Sequence, residues 1–98
     1  MVARIVKMTF KENLIEQFLE VFEQSKIAIR QFQGCQHLEL HRGTDHPTIF
    51  FTYSHWESEE ALQHYRNSTL FKQTWAKTKV LFDAKAEAWT LEMIDRQS

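Results

Sequence analysis

The chain has almost no cysteine. Its one thiol, Cys35, cannot form an internal disulfide, which excludes the small cross-linked secreted scaffolds and fits a reducing compartment. Glycine and proline are nearly as scarce, at two and one, so there is no flexible linker and no repeat built on those residues. Charge of one sign is missing too. Twelve basic against thirteen acidic residues leave a net charge of −1. That removes the overall basic footprint expected for binding nucleic acid or anionic lipid. No stretch approaches the roughly 20 apolar residues of a membrane-spanning helix. The opening MVARIVKMTFKEN is too charged, and its apolar run too short, for a signal peptide. The expected location is cytoplasmic.

Aromatic residues are plentiful. Eight Phe and three Trp among 98 residues need a core, a cleft or a partner to bury them. The length suits one domain, residues 1–98, which as a monomer buries only about two-thirds of its unfolded surface. Any substantial function therefore depends on a cleft or on association.

Periodicity orders the chain. VARIVKMTF (2–10) is rich in β-branched residues and predicts a strand. Asn13 and Glu16 have the spacing of a capping box. Leu14, Phe18, Val21, Phe22, Ile29 and Phe32 follow at helical spacing, and Gly34 offers a left-handed stop. CQHLELHR (35–42) alternates, with Leu38 and Leu40 on one face and His37, Glu39 and His41 on the other. GTDHP (43–47) is a turn, and TIFFTYSHW (48–56) completes a hairpin. In that strand Phe50 and Trp56 face one way, Phe51 and Tyr53 the other. Ser58 and Ser68 have the chemistry of N-caps for two consecutive helices, the first opened by Glu59 and Glu60. DAKAEAWTLEMI (83–94) alternates again as a strand.

The order is β-α-β-β-α-β, the second helical segment broken near Asn67-Ser68. It predicts a ferredoxin-like α+β fold with an antiparallel sheet. Helices cover one face of such a sheet. Phe51, Tyr53, Trp89, Leu91 and Met93 supply more apolar surface than one helix layer can shield, which predicts a homodimer.

Four groups of residues invite chemical readings. His37, Glu39 and His41 lie about 7 Å apart along one strand face, a spacing that could hold a divalent metal with His55 from the paired strand. The plainer reading, and the one preferred, is a polar strand face with no metal. Ser54, His55 and Trp56, with His64 and Tyr65, place a base of near-neutral pKa beside aromatic walls, which suits proton abstraction from a phenol or enol. Against that, Trp56 can simply plug the sheet–helix interface while His64 stays solvated. Cys35 has no neighbour that would lower its pKa and is expected to be a buried free thiol. RNA-recognition domains share this order of elements, but PTIFFTY lacks the basic residue and glycine their third strand needs.

HWESEEA (55–61), NSTLF (67–71) and GCQHLELHR (34–42) together resemble the antibiotic biosynthesis monooxygenase domain family. The resemblance implies a dimeric α+β barrel made by two sheets face to face. For some members it also implies oxygenation of aromatic molecules without metal or flavin, the substrate itself donating the electrons. Trp56 falls on the family's typical tryptophan. Ser54 stands where glutamate is frequent, Tyr65 and Leu70 where histidines are. Trp75 occupies the place of the haem-ligating histidine of haem-degrading members and cannot ligate iron.

These readings predict an apolar pocket walled by Phe50, Thr52, Ser54, Trp56, Phe71 and Trp75, with His64 or Tyr65 as acid/base. The implied function is cofactor-independent monooxygenation of a small aromatic or enolic molecule. The alternative is a non-catalytic, small-molecule-binding or stress-associated dimer of the same fold.

Overall fold

A computed structural model describes all residues, 1–98. Strand β1 (Val2–Phe10) leads through a 3-10 turn (Glu12–Leu14) into helix α1 (Ile15–Arg30). Strands β2 (Cys35–Arg42) and β3 (Ile49–Trp56) form the hairpin. Helices α2 (Glu59–Arg66) and α3 (Thr69–Lys79) follow, and β4 (Phe82–Glu92) ends the sheet. The strand order is β2-β3-β1-β4, with every neighbouring pair antiparallel. This is the ferredoxin-like α+β arrangement read from the sequence.

Two of the three expected helix caps form. Ser58 Oγ accepts from the Ala61 amide at 3.1 Å, and Ser68 Oγ accepts from the Phe71 amide at 3.1 Å. The third does not. The turn into α1 starts at Lys11, whose carbonyl accepts from the Leu14 amide at 2.9 Å, so Asn13 lies inside the 3-10 turn and caps nothing. The early start follows from β1, which holds the chain as far as Lys11 through a hydrogen bond to the Leu81 carbonyl.

Gly34 has φ +91°, a conformation that disfavours side chains. A Cβ there would sit 2.5 Å from the Ala61 Cβ. The missing side chain lets the start of β2 lie directly against α2.

Strand alternation sends Val2, Arg4, Val6, Met8 and Phe10 of β1 toward the helices, opposite Trp56, Ser54, Thr52 and Phe50 of β3. Two buried clusters form on this side. One contains Met8, Phe10, Ile15, Phe18, Phe50 and Leu81. The other contains Val2, Cys35, Trp56 and Leu62, with Phe32, Ala61 and Tyr65 packed against it. On the other face His37 pairs with His55, Glu39 with Tyr53 and His41 with Phe51, while Ile5 lies between Tyr53 and Trp89. No helix covers this face, and Trp89 and Leu91 remain 45% and 44% exposed. No helix of the chain is long and apolar enough to cross a membrane.

Candidate functional site

Between the two buried clusters the helix-covered layer is hollow. A cavity of about 300 Å³ is bounded by the inner face of the sheet and by all three helices. Its size is at the lower end of the range of about 300–1,000 Å³ typical of small-molecule sites. The hollow has a sequence origin. The inward positions of β4 beside it are Ala86 and Ala88, which project only a methyl group each where a larger residue would fill the space.

One wall is a chain of aromatic rings. Trp56 stacks on Tyr65 with centroids 4.8 Å apart, Tyr65 meets Phe71 edge-on at 5.3 Å, and Phe71 stacks on Trp75 at 5.9 Å. Trp56 is fixed further by its indole N–H, which donates to Ser54 Oγ at 2.9 Å. Thr52, Ser54, Trp56, Phe71 and Trp75, all expected in the wall, line the cavity, as does Tyr65. Two expected residues do not. Phe50 is opposite Met8 at the far end of β3 and packs with Phe10 and Phe18, their ring centroids 5.7 and 5.4 Å away. His64 is exposed on the outer side of α2, edge-on to Phe32 at 5.9 Å, because one helical step (about 100°) separates it from the inward-facing Tyr65.

Burial pushes the Tyr65 phenol far above its usual pKa, so at neutral pH it is a neutral hydroxyl and not a base. No histidine or carboxylate lines the cavity. Ser25 and Thr78 do, but their hydroxyls donate to their own helix at the Val21 and Thr74 carbonyls, at 2.9 and 2.8 Å.

The charged groups of the lining are two arginines overlooked in the sequence. Arg4 belongs to the inward row of β1, across the sheet from Ser54 and Thr90, and its Nη1 donates to Thr90 Oγ1 at 2.8 Å. Arg66 is four residues after Leu62 on α2, and its Nε is buried with no hydrogen-bond partner. Leaving such a donor unmet costs roughly 1–3 kcal/mol, more when the group is charged. Neither arginine takes part in an ion pair of the chain. Burial first, and the neighbouring Arg66 second, pull the pKa of Arg4 below its usual value. A guanidinium does not give up its proton in a protein, so the shift marks mainly the cost of a charge partly withdrawn from water, with the neighbouring cation adding to it. The signal was present in the sequence: Arg4 interrupts an apolar period-two row, and Arg66 shares the helical face of Leu62.

The histidines of the open face are separate from this cavity. Glu39 is bridged by His37 and by His41, the latter at 2.6 Å, and His55 Nε2 contacts the Tyr53 hydroxyl at 2.6 Å. Nowhere in the chain do three or more ligating side chains have a metal-binding arrangement. Cys35 is buried and free, with its pKa raised mainly by burial.

Known structures share this architecture. Rv0793 from Mycobacterium tuberculosis superposes with a TM-score of 0.90 at 18% identity, covering 99% of this chain and 98% of that one. A structure described as an antibiotic biosynthesis monooxygenase gives 0.90 at 16% identity, with 97% and 100% covered. PA3566 from Pseudomonas aeruginosa gives 0.83 at 17% identity, with 96% and 94% covered. At such identities the likeness establishes the fold alone. The sequence matches none of the curated proteins. It does match the antibiotic biosynthesis monooxygenase family over residues 1–77. That match spans both strands of the hairpin, Trp56 and the helix carrying Tyr65 and Arg66, and the chain belongs to the antibiotic biosynthesis monooxygenase family.

Proposed function

We propose that this chain, acting as one domain in the cytoplasm, takes a small flat aromatic or enolic molecule into the cavity and oxygenates it. The observation that carries the reading is the ring wall Trp56–Tyr65–Phe71–Trp75 beside an unfilled, largely apolar space, in a family of this activity. Flat conjugated rings stack well on such a wall. The substrate supplies all four electrons that reduce dioxygen, with no external reductant. An activated CH₂ loses two hydrogens, one atom of dioxygen becomes the new carbonyl, and the other leaves as water. Tyr65, held neutral, donates a hydrogen bond to the developing oxyanion. Ser54 fixes Trp56, and Thr52 and Trp75 limit the shape of the guest. His64, on the outer side of α2, is not assigned a proton-transfer role.

The test is oxygen uptake with a panel of hydroquinones and anthrones, followed by mass analysis under isotopically labelled dioxygen. One labelled atom in the product is expected, with turnover lowered about 100- to 1,000-fold in Tyr65→Phe. One observation favours a second reading, a non-catalytic binding protein: no histidine or carboxylate lines the cavity. That reading requires the same compounds to bind with no oxygen consumed.

A second copy of the chain is the proposed cover for the open sheet face. Ile5, Tyr53, Phe51, Trp89 and Leu91 form an apolar surface there that one helix layer cannot reach. Sedimentation at micromolar concentration should give a dimer for the wild type and a monomer for Trp89→Asp. A wild-type monomer removes this part of the reading.

A further inference from the structure

We infer that Arg4 and Arg66 form an anion subsite at one side of the cavity, and that the guest is a flat conjugated molecule bearing one negative charge: a carboxylate, or the enolate or phenolate of an acidic substrate. The inference deepens the oxygenase reading by naming the charge of its substrate, and it stands on observations of its own.

Both guanidiniums line the same cavity, and no carboxylate forms an ion pair with either of them. Arg66 presents a buried Nε with its hydrogen bond unmade. Arg4 spends one donor on Thr90 and retains others. Both guanidiniums are half-buried at the edge of the hollow, and a ligand anion there would meet the buried Arg66 Nε and the free donors of Arg4. A guanidinium meets a planar carboxylate or enolate through parallel donors. The neighbouring ring wall accepts the flat body of the same molecule.

The subsite also supplies what the lining lacks. With no side-chain base in the cavity, the proton of an enol or phenol must go to solvent. A pair of cations lowers the pKa of the bound molecule by favouring its anion. The anion is the electron-rich form from which dioxygen can accept electrons.

Calorimetric titration with 2-naphthoate and with its neutral isostere 2-naphthamide separates charge from shape. Naphthoate should bind the wild type at least about 10-fold more tightly, and added salt should shrink the difference. The preference should vanish in Arg66→Gln and persist in Arg66→Lys, with circular dichroism and thermal melting confirming that both variants fold. Equal affinities in the wild type, no naphthoate binding at millimolar concentration, or a preference that survives Arg66→Gln would each overturn the assignment. Oxygen uptake reports independently. A naphthoate preference without turnover of any panel compound would sink the oxygenase reading and leave the anion subsite standing.

Discussion

The two ends of the helix-covered layer are built from similar residues to opposite effect. At one end Phe10 stacks on Phe18 at 4.1 Å, Phe50 and Phe82 close around Phe10, and Met8, Ile15 and Leu81 fill the gaps. Toward the other end the rings line up along one wall, and the facing strand offers Ala86 and Ala88. Aromatic content alone therefore does not decide whether a region is core or site. The residue facing the ring decides it: a second large side chain gives a core, and a methyl group or a lone guanidinium gives a cavity.

The contrast can be broken by substitution. Phe10→Ala, at the packed end, should cost the most, about 3–5 kcal/mol in denaturant unfolding, because a large ring is removed from close-packed neighbours. In a sample kept folded it should not alter the naphthoate preference. Ser54→Ala should cost roughly 1–3 kcal/mol by leaving the buried Trp56 indole N–H without its acceptor. The tryptophan fluorescence should shift at the same time. Arg66→Met should run the other way, raising the stability of the empty protein by about 1 kcal/mol, since a half-buried guanidinium with an unmet Nε donor gives way to an apolar chain of similar length. A loss of stability there would mean that Arg66 is a structural residue and that the two ends differ less than their geometry suggests.

The smallest effect belongs to neither end. On the open face, burial first and the charge of His37 second depress the pKa of His55. The unfolded chain then binds a proton near pH 6.5 that the folded chain resists, so stability falls as pH drops below about 6.5. Glu39 is held low by hydrogen bonds from His37 and then His41. Its contribution is present above the ordinary carboxylate pKa and is lost as pH falls through its lowered folded value. Stability–pH curves of Phe10→Ala and Ser54→Ala should therefore run parallel to the wild type, while His55→Gln flattens the slope just below pH 6.5.

The order of elements was legible because each has a clear period: two in the strands, three to four in the helices. The caps at Ser58 and Ser68 were legible for the same local reason. Asn13 misled because a strand held by Leu81, far along the chain, moved the turn back to Lys11. Phe50 and Trp56 share a strand face, and sequence alone cannot say that six residues of β3 carry that face from the solid end to the hollow one. His64 and Tyr65 are adjacent, so a single helical step decided which of them met the cavity. The arginines were overlooked because charge was read as a sum and not by position. A cation inside an apolar row is informative even when the net charge is close to zero.

The contact between Gly34 and Ala61 reaches further than its size suggests. Helix α2 holds Tyr65 and Arg66 at a height above the sheet set by backbone meeting a methyl group, with the Glu57 amide bonded to the Gly34 carbonyl at 2.8 Å beside it. That spot works as a fulcrum. Adding a single carbon there would tilt the helix and re-aim the guanidinium and the phenol together, so ligand choice could be retuned from a residue that touches no ligand.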